Sequence, residues 1–277
     1  MKDTIRFLVF WVGTRCSLRC KNCGNLIPYV DQVSFDCKKI LDNLAYICHD
    51  VKIEKMQIQG GEPFTYKDIA RVIDMCACMD HIEKIDISTN GTILPNEETI
   101  RVLAKHADKV TVRFSVYDCV DEKPRQQKID ALRMSGVKVD SYHFMFDSGE
   151  WFDSGDYWQE RNENDEQVKV IYKSCNNRDC WTLADDYMAC CGKILSLREL
   201  KNVGGGVEAW RDNVLDITSL RLHSQSFVEE LSAFDNRYIN EVPEMCAYCK
   251  PQNGRIPAAI QLTDEEMERV WRDKQNL

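Results

Sequence analysis

Ile5–Trp11 is a near-continuous apolar run, the mark of a strand buried on both faces. Such a strand must be covered from two sides, and the residues after it supply the cover. Phe35–Ile47 carries Ile40, Leu41, Leu44 and Ile47 on one helical face. Lys55–Gln59 reads as a strand, Ala70–Met79 as a helix and Ile82–Ser88 as an alternating strand. Glu97–His106 is a helix with Ile100, Leu103 and Ala104 inward, and Lys109–Val116 alternates again. Gln126–Met134 is helical, Val137–Phe146 is a fifth strand and Val168–Tyr172 a sixth. Strands alternating with helices imply right-handed crossovers and a parallel sheet. Six units fall short of an eight-fold barrel, so this α/β chain predicts a partial barrel or an open doubly wound sheet. Either way, functional groups belong at the C-terminal ends of the strands.

After Tyr172 the texture changes. Cysteines cluster at 175, 180, 190 and 191, and the chain then passes through Gly204-Gly205-Gly206. A helical segment around Phe227–Phe234 leads to Cys246-Ala-Tyr-Cys249. Thr263–Lys274 opens with a Thr cap and an acidic turn and ends basic, as a helix does. The expected organisation is therefore a barrel-like unit over 1–172 and a small metal-stitched unit over 173–277. The acidic, aromatic stretch Asp147–Asp165 interrupts the alternation and reads as a long loop. Its Trp151, Phe152, Tyr157 and Trp158 are candidates to close over the barrel mouth or to pack the loop onto the core.

The 36 basic and 45 acidic residues give a net charge of −9, which disfavours a broad phosphate-neutralising surface and hence nucleic acid as a partner. The charge also leans slightly towards a neutral or cationic substrate. No apolar run approaches the roughly 18 residues of a membrane span, and Phe7–Val12 is too short for a signal peptide. With 14 Cys, 5 His and no Cys/His spacing, a cytoplasmic chain with thiolates reserved for zinc or iron–sulfur clusters is the expectation.

The first strand runs directly into Cys16-Ser-Leu-Arg-Cys20-Lys-Asn-Cys23. Three thiols in one loop can wrap a small inorganic core. A structural zinc takes four closed ligands, whereas a 4Fe–4S cube held by three Cys leaves one iron open, which favours chemistry over structure. Gly60-Gly61-Glu62-Pro63 follows the second strand, and Ser88-Thr89-Asn90-Gly91 follows the third.

Taken together, the CxxxCxxC loop, the GGEP segment and the STNG turn resemble the radical S-adenosylmethionine (SAM) superfamily. The likeness covers about 170 residues in the family's order, and with it the partial (β/α)6 TIM-type barrel becomes the expected fold. It implies a SAM-binding 4Fe–4S cluster on Cys16, Cys20 and Cys23. It implies too that Gly60, Gly61, Glu62 and Pro63 hold the SAM methionine, with Ser88 and Asn90 beside the cofactor and Ser115 on its ribose. The residue before the third Cys is aromatic in many members and packs on adenine; here it is Asn22, so Tyr29 or Phe64 is expected to share that packing. Reductive cleavage of SAM to a 5′-deoxyadenosyl radical is the implied chemistry, fed by an external donor such as flavodoxin or ferredoxin.

Cys180 through Cys191 reads as a hairpin turning at Asp185-Asp186. With Cys246-x₂-Cys249, it resembles the twitch module, the shortened relative of the SPASM domain. That module holds an auxiliary 4Fe–4S cluster on one Cys before the hairpin, one after it and a terminal CxxC. Each hairpin position is duplicated here, as Cys175 or Cys180 and as Cys190 or Cys191. Counting outward from the turn favours Cys180 and Cys191, Cys175 gives a longer usable span, and a four-thiolate zinc ribbon is the alternative.

Cys37, Cys48, Cys76 and Cys78 lie on expected helices as small hydrophobes. Cys119 follows the fourth strand and is a candidate hydrogen-atom donor, while Arg113 and Tyr117 flank Ser115 as candidates to orient a substrate or take its proton. The expected function is oxidation or epimerisation of a small polar substrate such as a sugar or aminocyclitol. Maturation of a ribosomally made peptide is the alternative; little chain precedes Ile5, which argues against a fused leader-binding module but not a separate one. A purely electron-relaying iron–sulfur protein is the third reading.

Overall fold

A computed structural model describes residues 3–142, 149–153, 164–175, 177–178, 180–197, 210–250 and 254–275. The first strand, β1 (Thr4–Trp11), is buried on both faces, with Ile5, Leu8 and Phe10 fully enclosed. It is followed by α1 (Cys37–Asp50), β2 (Lys52–Gln59), α2 (Ile69–Ala77), β3 (Ile82–Thr89), α3 (Glu97–Lys105), β4 (Val110–Ser115), α4 (Glu122–Met134) and β5 (Val139–Tyr142). These five strands pair in parallel in the order β5-β4-β3-β2-β1. The α/β class with a parallel sheet is therefore present as expected. Residues 143–146 of the fifth expected strand lie outside the described residues.

Next come β6 (Glu150–Phe152), α5 (Asp165–Lys173), β7 (Trp181–Ala184), β8 (Tyr187–Ala189) and α6 (Gly192–Leu197). After them lie β9 (Leu215–Asp216), α7 (Ile217–Leu222), α8 (Phe227–Asn240), β10 (Arg255–Pro257) and α9 (Asp264–Gln275). The cap expected at Thr263 is formed: its hydroxyl accepts from the Glu266 N–H, and the Glu266 carboxylate accepts from the Thr263 N–H.

Val168–Tyr172, expected as the sixth strand, lies in helix α5. Asn164 and Gln167 form a reciprocal capping box at its start. Val168 and Ile171 are buried three residues apart while Val170 is exposed, a helical spacing. The β-branched residues favour a strand, but the cap and the buried face prevail. The sixth parallel strand is instead β7, the first arm of the hairpin. It pairs with the free edge of β1, Leu8 opposite Trp181 and Trp11 opposite Ala184. β8 and β9 then extend the sheet antiparallel.

The hairpin turns at Asp185, which adopts a positive φ of 52°. Lys39 of α1 pairs with Asp185 at 2.5 Å and Asp186 at 3.1 Å. Fully buried Asn43 donates to the Asp185 carbonyl at 3.0 Å and to Thr218 Oγ1 at 2.9 Å, and accepts from Arg221 Nε at 3.0 Å. The helix after β1 thus fixes the strand that joins β1's other edge.

Candidate active site

One face of the parallel sheet is apolar and packs under the helices, as Leu8, Phe10, Ile58, Ile87, Phe114 and Leu183 are all fully buried. The other face presents Phe7 and Val9 of β1, Gln57 and Gln59 of β2, Ser88 of β3, Ser115 of β4 and Thr182 of β7 to a cavity of about 330 Å³. Period-two alternation places these side chains together. Along the same face, one register step towards the strands' N-termini, Asp86 accepts from Lys55 at 2.7 Å and Arg113 at 3.1 Å. Arg113 also reaches Asp140 at 3.5 Å and lies over the Tyr142 ring. Arg113, expected as a substrate contact, is therefore committed to an ion-paired network and does not line the cavity.

Cys16, Cys20 and Cys23 line the cavity at the C-terminal end of β1. Nitrogen donors surround their sulfurs: Leu18 N–H and Asn90 Nδ2 at Cys16, Gln261 Nε2 at 3.2 Å from Cys20, and backbone N–H groups of Asn25, Leu26 and Ile27 at Cys23. Burial, and after it the neighbouring thiols, pushes Cys16 up to about 12 and raises Cys20, and burial raises Cys23. Buried thiols crowded in this way give up their protons to a metal. N–H donors aimed at sulfur are the surroundings a thiolate-held cluster requires, so the donor set fits a 4Fe–4S group held by three cysteines.

The GGEP segment runs alongside this loop. Gly61 N–H donates to the Gly13 carbonyl at 3.1 Å, and Glu62 N–H to the Arg15 carbonyl at 2.7 Å. A Cβ on Gly61 would sit 2.2 Å from the Arg15 oxygen, so only glycine allows this approach. Glu62 is buried at 1% exposure, and its carboxylate accepts from Phe64 N–H, Thr89 Oγ1 and Asn90 N–H. Desolvation outweighs these donors and pushes its pKa up to about 7. Asn90 Nδ2 continues to Ser17 Oγ at 3.0 Å. Thus the three expected motifs form one hydrogen-bonded unit, with Gly60, Pro63 and Ser88 in or beside it.

Ser115 is buried and hydrogen-bonded to Tyr117, whose hydroxyl is raised above its ordinary pKa by burial. Tyr117 lines the cavity and meets Trp151 edge-on at 5.6 Å. Trp151 and Phe152 of β6, paired with β10, also line it, and the Trp151 indole nitrogen is buried without a hydrogen-bond partner. Tyr157 and Trp158 lie outside the described residues. Asn22 lines the cavity with Ile27 and Pro28, whereas Tyr29 and Phe64 are buried elsewhere in the core. Cys119 is exposed and does not line the cavity; its sulfur lies 3.6 Å from Gln261 Nε2.

A second, narrow cavity of about 40 Å³ is lined by Cys175, Cys190, Cys191, Cys246 and Cys249, with apolar Ile171, Ile194 and Leu197. Cys246 is raised well above the usual thiol range, first by burial and then by the four other thiols of this set. Cys180, favoured by counting from the turn, faces the larger cavity instead. Five thiols thus surround a position for which the hairpin and CxxC suggested four, and four buried thiolates fit a closed cluster or a zinc ion equally.

Cys78, expected in packing, is exposed at the end of α2. It lies near Asp74 and His106, their ligand atoms within 4.8 Å of one another. Asp74 is held below the usual carboxyl range by Lys105 and His106, so this group is an ion-paired surface cluster.

Residues 12–146 match the Radical SAM superfamily. The chain carries a radical SAM domain. Radical SAM domains use SAM and a 4Fe–4S cluster, the groups that the Cys16–Cys23 loop and the GGEP segment fit. GTP 3',8-cyclase of Thermodesulfovibrio yellowstonii is 35% identical over 104 residues, 34% of this chain and 31% of that protein. GTP 3',8-cyclase of Syntrophomonas wolfei is 27% identical over 125 residues, 43% of this chain and 36% of that protein. The chain thus spans about a third of the length of the curated relatives it matches. The structure of BtrN in complex with AdoMet and 2-DOIA shares the fold, with a TM-score of 0.50 at 14% identity over 95% of this chain and 98% of that one. Streptococcus suis SuiB bound to precursor peptide SuiA aligns over 51% of this chain and 33% of that one, at 21% identity and a TM-score of 0.43. Among the described residues, no helix is long and apolar enough to cross a membrane.

Proposed function

We propose that this chain is a radical SAM oxidoreductase acting on a small polar substrate, with a second 4Fe–4S centre on the Cys175, Cys190, Cys191, Cys246 and Cys249 set. The observation that carries this reading is adjacency: Cys191 and Lys193 line both the radical SAM cavity and the thiol-lined one. A substrate in the larger cavity is therefore close to both metal positions, the arrangement required for removing a hydrogen atom and then an electron. When bound, SAM and its cluster supply a carbon radical that abstracts hydrogen.

The protein's own residues orient and enclose. Gly60 and Gly61 line the cavity and give the SAM ammonium its backbone contacts, while Glu62, buried behind them, braces the turn through Thr89 and Asn90, and Pro63 fixes it. Asn90 and Ser88 flank the cofactor, and Ser115 faces the ribose. Tyr117 stays protonated and can donate a hydrogen bond to a substrate oxygen. Asn22, Asn25, Gln57, Gln59 and Asn177 give the walls amide groups suited to a hydroxyl-bearing substrate such as a sugar or aminocyclitol. Trp151 and Phe152 line the cavity and would help exclude water from a bound substrate. The unit over 173–277 would act as the module of the second centre, although its hairpin extends the same sheet.

Anaerobic reconstitution with iron counting and a 5′-deoxyadenosine assay tests this reading. About eight irons per chain are expected, falling to about four when Cys16, Cys20 and Cys23 are all Ala. About four irons and a bound zinc in the unmutated chain would overturn the second centre. A fully iron-loaded chain that fails to cleave SAM with a strong reductant would overturn the activity.

A further inference from the structure

Lys193 stands directly between the two sets of thiols. It follows Cys190-Cys191-Gly192 in the chain, so one end of α6 is tied covalently to the second set. The other end is tied to the first thiol loop by Ser196 Oγ, which donates to the Asn25 carbonyl at 2.6 Å. Gly192 lets the helix dock closely, since a Cβ there would lie a tight 3.0 Å from the Trp11 ring and 3.1 Å from Asn25 Oδ1. Held in this way, Lys193 is only 5% exposed and lines both cavities. Among the described residues it is the one charged side chain on the wall of the larger cavity, and the one cation common to both, since Arg178 and Lys250 line only the narrow one. A charged ammonium this buried needs facing anions, and its charge favours the thiolate form at Cys23 on one side and at Cys175 on the other.

We propose that the Lys193 ammonium is a single fixed charge shared by the two metal centres, raising the reduction potential of both. The inference rests on the reading that both thiol sets hold clusters. One-electron reduction adds negative charge to a cluster, and a cation close by in a low-dielectric site stabilises the reduced form. In this role Lys193 is a positioning residue for charge, acting on the centres through the thiolates that hold them.

The test is an EPR-monitored redox titration of the fully reconstituted protein, unmutated and as Lys193→Met and Lys193→Arg. Iron is counted first: about four irons in the unmutated chain would refute the two-cluster reading itself. With both clusters loaded, Lys193→Met is expected to move both midpoint potentials negative, and Lys193→Arg to return them towards the unmutated values. Potentials that stay in place, or a shift confined to one cluster, would overturn the shared charge. If Lys193→Met fails to load, Lys193→Gln, which also removes the charge but keeps a polar side chain, carries the same titration: both potentials moved negative uphold the shared charge, and unmoved potentials overturn it.

Discussion

The backbone N–H of Asn90 donates to Glu62 Oε2 at 2.8 Å, fastening the turn after β3 to the carboxylate that follows β2. The neighbouring Thr89 hydroxyl holds Oε1 at 2.9 Å, so the carboxylate is positioned before any ligand arrives. Its pKa is pushed up to about 7 by burial, from an ordinary value of 4.5. A raised carboxyl pKa means that the fold favours the protonated form. The associated stability is fully present below pH 4.5 and is lost as the pH rises through about 7. At about 1.4 kcal/mol per pK unit, the loss is on the order of 3 kcal/mol. Without SAM, the melting temperature should fall across this window relative to Glu62→Gln, which has no proton to lose. Parallel pH profiles of the two proteins would refute the assignment.

The narrow cavity takes in Cys175 and leaves Cys180 outside. The double variant Cys175→Ala/Cys246→Ala should lose about four irons per chain, and Cys180→Ala should lose none. Iron analysis beside the cluster absorbance decides between them. Iron loss on replacing Cys180 alone would reassign the second centre.

Gly61→Ala forces a Cβ to within 2.2 Å of a backbone oxygen in the loop that carries Cys16. Neither partner is a flexible side-chain end, so the loop must move. A destabilisation above about 2 kcal/mol is expected, with SAM affinity falling by more than about tenfold. Gly24→Ala is the control, since nothing lies within 4 Å of its added Cβ; its effect should stay within about 0.5 kcal/mol. Urea unfolding and equilibrium dialysis with SAM measure the two quantities.

Asn43 ties α1 to the hairpin turn and to α7 through three hydrogen bonds. Asn43→Ala leaves the Asp185 carbonyl and the Arg221 guanidinium without that partner, at a cost of about 2 kcal/mol. Chemical denaturation should show this loss at unchanged ionic-strength dependence. A neutral substitution would mean that water replaces the amide.

Much of the fold is legible along the chain because its signals are local. The apolar run at Ile5–Trp11, the faces of α1 to α3 and the hairpin around Asp185-Asp186 each lie within one stretch of sequence. The β-branched residues of Val168–Tyr172 by themselves favour a strand, but the Asn164/Gln167 cap just ahead of them starts a helix. The site is legible where a motif is contiguous, as in the Cys16–Cys23 loop and Gly60–Pro63. It is not legible where a single charge matters: the acidic composition leans slightly towards a neutral or cationic substrate, while the cavity wall carries Lys193 and no carboxylate among the described residues.

The 14 cysteines and their spacing, the alternation of strands with helices, and the turns at Gly60 and Ser88 are determined by the sequence itself. Each depends on residues a few positions apart, where backbone periodicity fixes what faces what. Only the tertiary structure decided that β7 pairs with β1 and that Cys175 joins the second thiol set while Cys180 faces the first. The same holds for the commitment of Arg113 to Asp86 and the position of Lys193 between two sets of thiols. These are contacts between segments far apart in the chain, selected by edge pairing and burial of side chains that meet only after the sheet has formed. No local spacing encodes them.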